Sequence, residues 1–333
     1  MTLRAVLIGC GKIGSTFADD PRIRGVLTHA EAYVVCPETT LVAVADPDRN
    51  QVERCGDRWG VACRHTDPLR MLTEVQPDLV SICAPDETHV SLTQAALRTP
   101  GVRGILAEKP LAMSPDEARE LVDEAEARGI ALAVNHSRRY ARGHAWLRAE
   151  IQAGRLGAIQ RVSGYYTKGT LHNGTHWFDL LRFLIGEVVA VRAWNHLHEP
   201  GPDPTLDLQF ELSHGVLATL SALDSQAFSL FEMDIVGSLG RARMVDSGHW
   251  IELQQHAPSP YYSGYDTLVA QERVSGVLED VTLRAVENLV HCLRHGEHPV
   301  SSGRDGWQAL RIGSALHASS RQGGVRIELP DLG

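Results

Sequence analysis

The sequence predicts an α/β first half, a doubly wound parallel sheet, followed by a strand-rich second half. Three observations carry this. Short apolar runs alternate with amphipathic helical patterns through residues 1–135, as parallel β/α units do. A glycine-rich turn, Gly9-Cys10-Gly11-Lys12-Ile13-Gly14, closes the first of those runs. After Ala158 the alternation stops and turn-punctuated strand patterns take over. We therefore expect one domain over 1–135 and a second over 136–333.

The strands of the first half are read at Arg4 to Gly9, Leu41 to Asp46, Asp78 to Pro85, Val102 to Pro110 and Ile130 to His136, with a short one near Val61 to Arg64. Helical patterns follow from about Lys12, over Asp48 to Trp59, over Glu87 to Arg98 and over Ser114 to Gly129. The last carries a Ser cap, Pro at its first position, Glu three residues after the cap and a terminal Gly. Pro21 to Thr40 reads as an insertion between the first helix and the second strand. In the second half, strand patterns occur at Ile159 to Tyr166, Val188 to His196, Thr205 to Glu211, Val216 to Leu223, Leu230 to Val236, Ala242 to Val245 and Trp250 to Gln255. Two helices, Glu279 to His295 and Asp305 to Arg321, close the chain.

Bulk properties exclude several functions. The 333 residues are 43% hydrophobic and 22% charged, with a formal net charge of -9. No long basic run is present, which argues against nucleic acid and against an anionic membrane surface. No apolar stretch reaches spanning length. The apolar N-terminus runs straight into the glycine turn and reads as a strand, not a signal peptide. None of the six cysteines forms a C-x-x-C pair, which fits reduced thiols and a cytoplasmic location.

The glycine turn is a G-x-G-x-x-G between a predicted strand and a predicted helix, the context in which the motif binds a dinucleotide. Gly9 permits the tight turn, Gly11 lets a pyrophosphate approach the backbone, and Gly14 allows close packing. Lys12 and Ile13 complete the turn, whose N–H groups face the phosphates. Asp46, ending the second strand, is placed to accept from both ribose hydroxyls and to repel a 2′-phosphate. NAD is favoured on that ground, and nearby Arg49 leaves NADP as the second choice.

Further motifs follow in order: Ala84-Pro85-Asp86-Glu87-Thr88-His89, Glu108-Lys109-Pro110, Asn135-His136-Ser137-Arg138-Arg139-Tyr140, Gly154-Arg155-Leu156-Gly157-Ala158-Ile159 and Gly174-Thr175-His176-Trp177-Phe178-Asp179. With the glycine turn, this set resembles the glucose-fructose oxidoreductase / inositol dehydrogenase / MocA family of NAD(P)-dependent sugar dehydrogenases, over nearly the whole chain. The resemblance implies a Rossmann first domain and a C-terminal domain built on a large, mostly antiparallel open sheet (α+β). It implies self-association through that sheet as a homodimer or homotetramer. It also implies a sugar, cyclitol or sugar derivative as substrate and hydride transfer between a carbinol and nicotinamide.

Residue by residue, the resemblance makes Ala84, Pro85, His89, Glu108 and Lys109 cofactor contacts. Lys109 would also meet substrate, and its bond to Pro110 is cis in similar proteins. Its place at the carboxyl end of a parallel strand, where open α/β sheets bind ligands, supports this independently. His176 matches the family's catalytic histidine, and an imidazole titrates near neutrality. Alone, it would read as a helix-start histidine. Asp179 is either an orienting group or simply a helix residue. His172 stands where the family usually has aspartate, which changes the expected substrate contacts and the partner of His176. His136, Arg138, Tyr166, Lys168 and Asn173 complete the expected substrate-binding set, with Tyr165 and Tyr166 on alternate faces of one strand so that one of them is core.

No metal is expected. His172 and His176 are four apart, but Asn173-Gly174 favours a turn between them, and no Cys or H-E-x-x-H is near. His196 and His198 read as strand-surface residues. Two other functions stay open: glycoside cleavage through tightly bound NAD used transiently, and a non-catalytic NAD-binding regulatory role.

Overall fold

The computed structural model describes residues 2–330. The chain divides into two units: residues up to Tyr140 with Glu279–Leu310, and Ala141–Leu278 with the chain from Arg311 onward.

The first unit is a six-stranded parallel sheet in the order β3-β2-β1-β4-β5-β6. Its strands are β1 (Leu3–Ile8), β2 (Thr39–Ala45), β3 (Cys63–His65), β4 (Leu79–Ile82), β5 (Gly104–Ala107) and β6 (Ala131–Val134). Every residue of β4 and β5 is buried, as expected of strands covered on both faces. The helices are α1 (His29–Val35), α2 (Arg49–Trp59), α3 (Pro68–Val75), α4 (His89–Arg98) and α5 (Pro115–Arg128). The capping box predicted for α5 is present, with Ser114 and Glu117 each bonding the other's backbone N–H.

Two expectations change here. The helix expected from Lys12 is only a turn and a short 3-10 segment, Thr16–Asp19. The first α-helix is α1, inside the stretch read as an insertion. Asp19, Asp20, Pro21 and Gly25 interrupt the earlier pattern, and Thr28 caps α1 by accepting from the Glu31 N–H. α3 was missed altogether, although Asp67 caps it and Pro68 opens it.

The second unit begins with α6 (Arg142–Gln152), β7 (Ile159–Tyr166), α7 (Thr175–Leu184), β8 (Val188–Trp194), β9 (Asp207–Leu212) and β10 (Leu217–Ala222). It continues with β11 (Phe231–Gly237), β12 (Gly240–Val245), β13 (Trp250–Pro258) and β14 (Asp266–Val274). Together with β15 (Ile327–Glu328) these strands make a nine-stranded sheet, β14-β13-β12-β11-β7-β10-β9-β8-β15. It is antiparallel except for the pair β7 and β10. β9, β10 and β12 alternate buried and half-buried residues, so one face is core. α7 covers that face: Trp177 stacks on Phe210 with ring centroids 5.6 Å apart and donates its indole N–H to the Glu232 carbonyl.

α8 (Val281–His295) and the start of α9 (Gly303–Arg321) belong to the first unit, whereas the expected second domain ran unbroken over 136–333. Packing explains the difference. Val286, Leu289 and Val290 of α8 sit in the core with Leu7, Leu79 and Leu106. A Cβ at Gly306 would lie 2.6 Å from Val134, so α9 begins in close contact with β6. The Val134 N–H also donates to the Ser301 carbonyl.

Leu289 is 1% exposed. Leu289→Ala should therefore destabilise the protein by about 2–5 kcal/mol, read as a lowered denaturant midpoint in a tryptophan-fluorescence melt.

Candidate functional site

The carboxyl edge of the first sheet holds most of the expected cofactor residues, and a single pattern of hydrogen bonds holds them there. At five of the six strands the residue that leaves the strand donates its N–H to the last residue of a neighbour: Gly9 to Ala45, Asp46 to His65, Cys83 to Ile8, Glu108 to Ile82 and Asn135 to Ala107, over 2.7–3.2 Å.

Within the glycine turn, Gly9 has φ +95° and a Cβ there would lie 2.4 Å from the Cys83 carbonyl oxygen. Ser15 and Thr16 donate to the Gly11 carbonyl and Phe17 to that of Lys12. The amides of Gly11, Lys12, Ile13 and Gly14 thus form the opening turn, whose N–H groups have no acceptor within it. A Cβ at Gly11 would meet nothing within 4 Å, while one at Gly14 would lie 2.1 Å from the Gly9 carbonyl oxygen. The role expected for Gly14 in helix packing is instead a close crossing of the turn on itself. Asp46 accepts from the Cys10 N–H at 2.8 Å and from the Asp48 N–H at 2.9 Å. Its carboxylate is therefore aimed by the turn it serves. An open approach over Gly11, a glycine-rich opening turn and an oriented acid at the strand end fit a dinucleotide.

Ala84 and Pro85 leave β4 as expected, but His89 is not exposed to a ligand. It is fully buried, and its ring nitrogens face the Pro110 carbonyl at 2.6 Å and the Ala84 carbonyl at 2.9 Å. It ties two loops together. The Lys109–Pro110 peptide is cis. Glu108 takes hydrogen bonds on one oxygen from His29 at 3.0 Å and Asn135 at 2.7 Å. Burial pushes the Glu108 carboxyl up, yet His29, Asn135 and the charge of Lys109 outweigh it, and the group lies below the usual carboxylate range. Lys109 itself is half-buried.

His136 is buried, and burial pulls the Arg138 guanidinium down to about 10. The neighbouring Arg139 pairs with Asp305 at 3.0 Å and holds the Val300 carbonyl, a structural role.

In the second unit, Gly169–Gly174 forms a wide π-type turn, and α7 begins just after Gly174, where the turn expected at Asn173-Gly174 puts its start. His172 is exposed on this turn and His176 is half-buried in the first turn of α7. Asp203 builds the turn by accepting from the backbone N–H of Leu171 at 2.7 Å and of His172 at 2.9 Å. Burial pushes the Asp203 carboxyl up, but His317 and these two amides hold it below its ordinary value. Asn173 donates to the Thr167 carbonyl. Tyr166 departs from the expected substrate set: it is fully buried, and its hydroxyl bonds Thr170 and Leu206. The alternation that buries Tyr166 exposes Tyr165. Asp179 is buried, 3.9 Å from Arg182 in the same helix, as a structural residue would be.

Lys168 and His172 line a cavity of ≈ 690 Å³ with Glu199, Asp203, Asp224 and Gln226. Carboxylates, an amide, an imidazole and an ammonium around one cavity suit a ligand rich in hydroxyl groups. Among the described residues, no group of three or more His, Cys, Asp and Glu is arranged to hold a metal ion. No helix among them is long and apolar enough to cross a membrane. His196 pairs with Asp207, and His198 lies on the cavity wall with φ +53°.

Sequence reasoning missed His29, Ser81 and Asp203. His29 lay in the presumed insertion. Asp203 lay in a Pro-rich loop with no motif around it, so its link to residue 172 exists only in three dimensions.

Residues 3–136 match the model of an oxidoreductase family with an NAD-binding Rossmann fold, and residues 144–243 match the GFO/IDH/MocA C-terminal domain. The chain is 34% identical to D-glucoside 3-dehydrogenase of Escherichia coli (strain K12) over 157 residues, which span 47% of this chain and 41% of that relative. It is 25% identical to D-apiose dehydrogenase of Paraburkholderia graminis, covering 99% of this chain and 90% of that one. Its fold matches levoglucosan dehydrogenase, solved with NADH and levoglucosan, at a TM-score of 0.84 and 17% identity, over 99% of this chain and 100% of that one.

The two glycines separate binding from folding. Gly11→Ala should leave the melting temperature unchanged and weaken NADH at least about tenfold, because only the ligand would meet the new methyl. Gly14→Ala should lower both. Fluorescence titration with NADH beside a thermal melt checks this, and equal effects of the two variants would contradict it.

Proposed function

Because the chain belongs to the GFO/IDH/MocA oxidoreductase family and carries its NAD-binding Rossmann domain, we propose that it oxidises or reduces a carbinol of a sugar, cyclitol or sugar derivative. The observation that carries this reading is the polar cavity beside Lys168 and His172, together with the dinucleotide turn of the first unit. The names of the relatives, dehydrogenases of glucosides and of apiose, support the substrate class.

Oxidation divides into a hydride and a proton. The hydride leaves carbon with its electron pair for the nicotinamide, which is the chemistry NAD supplies when bound. The hydroxyl proton must go to the protein while the C=O bond forms. In our reading His176 accepts it, and the Lys109 ammonium steadies the negative charge on oxygen as the bond forms. Both roles rest on the family resemblance, with Lys109 at a strand end beside ionised Glu108 and His176 in the first turn of α7. NAD is preferred over NADP, since the oriented Asp46 carboxylate would repel a 2′-phosphate.

His172 sets this chain apart. An exposed imidazole in place of a carboxylate accepts one hydrogen bond when neutral and attracts an anion when protonated. We place sugar specificity here.

An absorbance assay of nicotinamide reduction, over free, phosphorylated and nucleotide-linked sugars and cyclitols, tests the reading. One class should turn over with NAD and more slowly with NADP. Lys109→Ala and His176→Ala should each lower kcat at least about a hundredfold. His172→Asp should change the ranking of substrates and leave NADH affinity intact. Release of an aglycone without net NADH would replace this reading with transient-NAD glycoside cleavage. Absence of any turnover despite NADH binding would point to a regulatory role.

We also assign self-association to the second unit's sheet. Tyr261, Tyr262 and Tyr265, at the β13–β14 turn, are 81%, 72% and 71% exposed, an aromatic cluster suited to an interface. Sedimentation velocity should find a dimer or tetramer, and a lone monomer at micromolar concentration would exclude it.

A further inference from the structure

Beneath Glu108 and Lys109 lies a buried polar chain that the reaction as drawn leaves unused. The imidazole of His29, fully buried on α1, is 3.0 Å from Glu108 Oε1 through Nε2 and 2.8 Å from Ser81 Oγ through Nδ1. Ser81 Oγ is in turn 2.8 Å from the Tyr33 hydroxyl. One proton arrangement satisfies these three contacts: Tyr33 donates to Ser81, Ser81 to His29 Nδ1, and His29 Nε2–H to Glu108. With Asn135 donating to the same oxygen at 2.7 Å, Glu108 is placed as an acceptor, which favours its ionised form.

The order Ser81-His29-Glu108 has the connectivity of a nucleophilic triad. It cannot act as one, because Ser81 and Tyr33 are fully buried and no acyl group reaches the hydroxyl. The chain also ends inside the protein at Tyr33, so it does not deliver protons to solvent. What remains is support of Glu108, the residue that precedes Lys109.

We propose that His29 is a positioning residue: with Asn135 it keeps Glu108 ionised and fixed at the end of β5, and that fixed anion keeps Lys109 an ammonium donor. The proposal builds on the reading of Lys109 as the charged donor of the reaction. Other titratable groups near Glu108 do not supply the charge. Burial and the charge of Glu108 push the Cys83 thiol well up, and burial pushes the Tyr33 phenol up, so both stay neutral. His89 has both ring nitrogens on carbonyls. His136 follows Asn135 in the chain and is buried. Removing a nearby opposite charge favours the neutral amine, so loss of the Glu108 charge must make Lys109 deprotonate at lower pH.

Competitive acetylation read by peptide mass spectrometry, on the full chain without substrate, gives the pH at which the Lys109 amine becomes reactive. Glu108→Gln should lower that midpoint by about 1–3 pH units, and His29→Leu should lower it by a smaller amount. The double variant should go no lower than Glu108→Gln alone, since both act through one group. His29→Gln, which can return a donor to Glu108, should recover most of the shift. An unchanged midpoint in Glu108→Gln, or additive shifts in the double variant, overturns the proposal. Where His29→Leu does not fold, His29→Asn is too short to reach Glu108 and carries the same expectation, and an unchanged midpoint there is equally fatal. The labelling needs no turnover, so its failure is distinct from failure of the hydride-transfer reading, which shows as an absence of activity.

Discussion

The last rung of the parallel ladder is the constraint on which the first unit's chemistry depends. Strands buried on both faces offer a ligand only their ends. Here five of the six ends are each closed by one N–H from the residue that leaves the strand, with Gly9, Asp46, Cys83, Glu108 and Asn135 all donating to a neighbour's last carbonyl. The sheet thereby positions the glycine turn, Asp46 and the residue before Lys109 with the rigidity of its core. At Gly9, positive φ and contact with the Cys83 carbonyl together exclude any side chain. Asp46 then reaches back to the Cys10 N–H, so that turn and acid form one object.

The second unit solves a related problem with different means. Its sheet is half open, and the turn that carries His172 must be fixed by the helix that follows it. α7 is anchored by Trp177, whose indole reaches the Glu232 carbonyl across β7. A Cβ at Gly164 would lie 2.6 Å from that indole nitrogen and 2.3 Å from the Glu232 oxygen. A small residue in the middle of a strand, ordinarily a weakness, is here what lets the helix sit down. From the other side, Asp203 holds the turn by its backbone amides.

Legibility in the sequence followed the range of the interactions. Alternating strands and helices, the glycine turn, the capping box of α5 and the strands of the second half were readable because each is local, written within about a dozen residues. β14 and β15 escaped because the first is largely exposed and the second is two residues long. The placement of Gly9, Asp46 and Lys109 at strand ends was readable because a local motif carries each of them. The site was misread where the role depended on a partner distant in sequence. His89 looks like a ligand contact until the Pro110 carbonyl, 21 residues away, appears on its other nitrogen. Tyr166 and Tyr165 are indistinguishable until the sheet face is known. His29 and Glu108 are separated by 79 residues, and no periodicity connects them. The return of α8 to the first sheet was hidden for the same reason, since an amphipathic helix does not state which core it covers.

The carboxylate nearest to position 172 shows how a family's chemistry can shift without a change of fold. Where related chains are expected to place an acid, this one presents the exposed imidazole of His172, with Asp203 lining the same cavity. Asp203 is not a replacement. Both of its oxygens hold turn amides, Oδ1 is also 3.3 Å from His317, and a Cβ at Gly169 would lie 2.3 Å from Oδ2. A carboxylate so engaged is poor at accepting a further hydroxyl, because each new acceptor role would weaken one that supports the turn. It still lines the cavity with Lys168, His172 and Glu199. The turn thus keeps a nearby carboxylate while presenting a different group to the ligand. That combination argues for a substrate distinguished at its recognition end, by the group that position 172 presents.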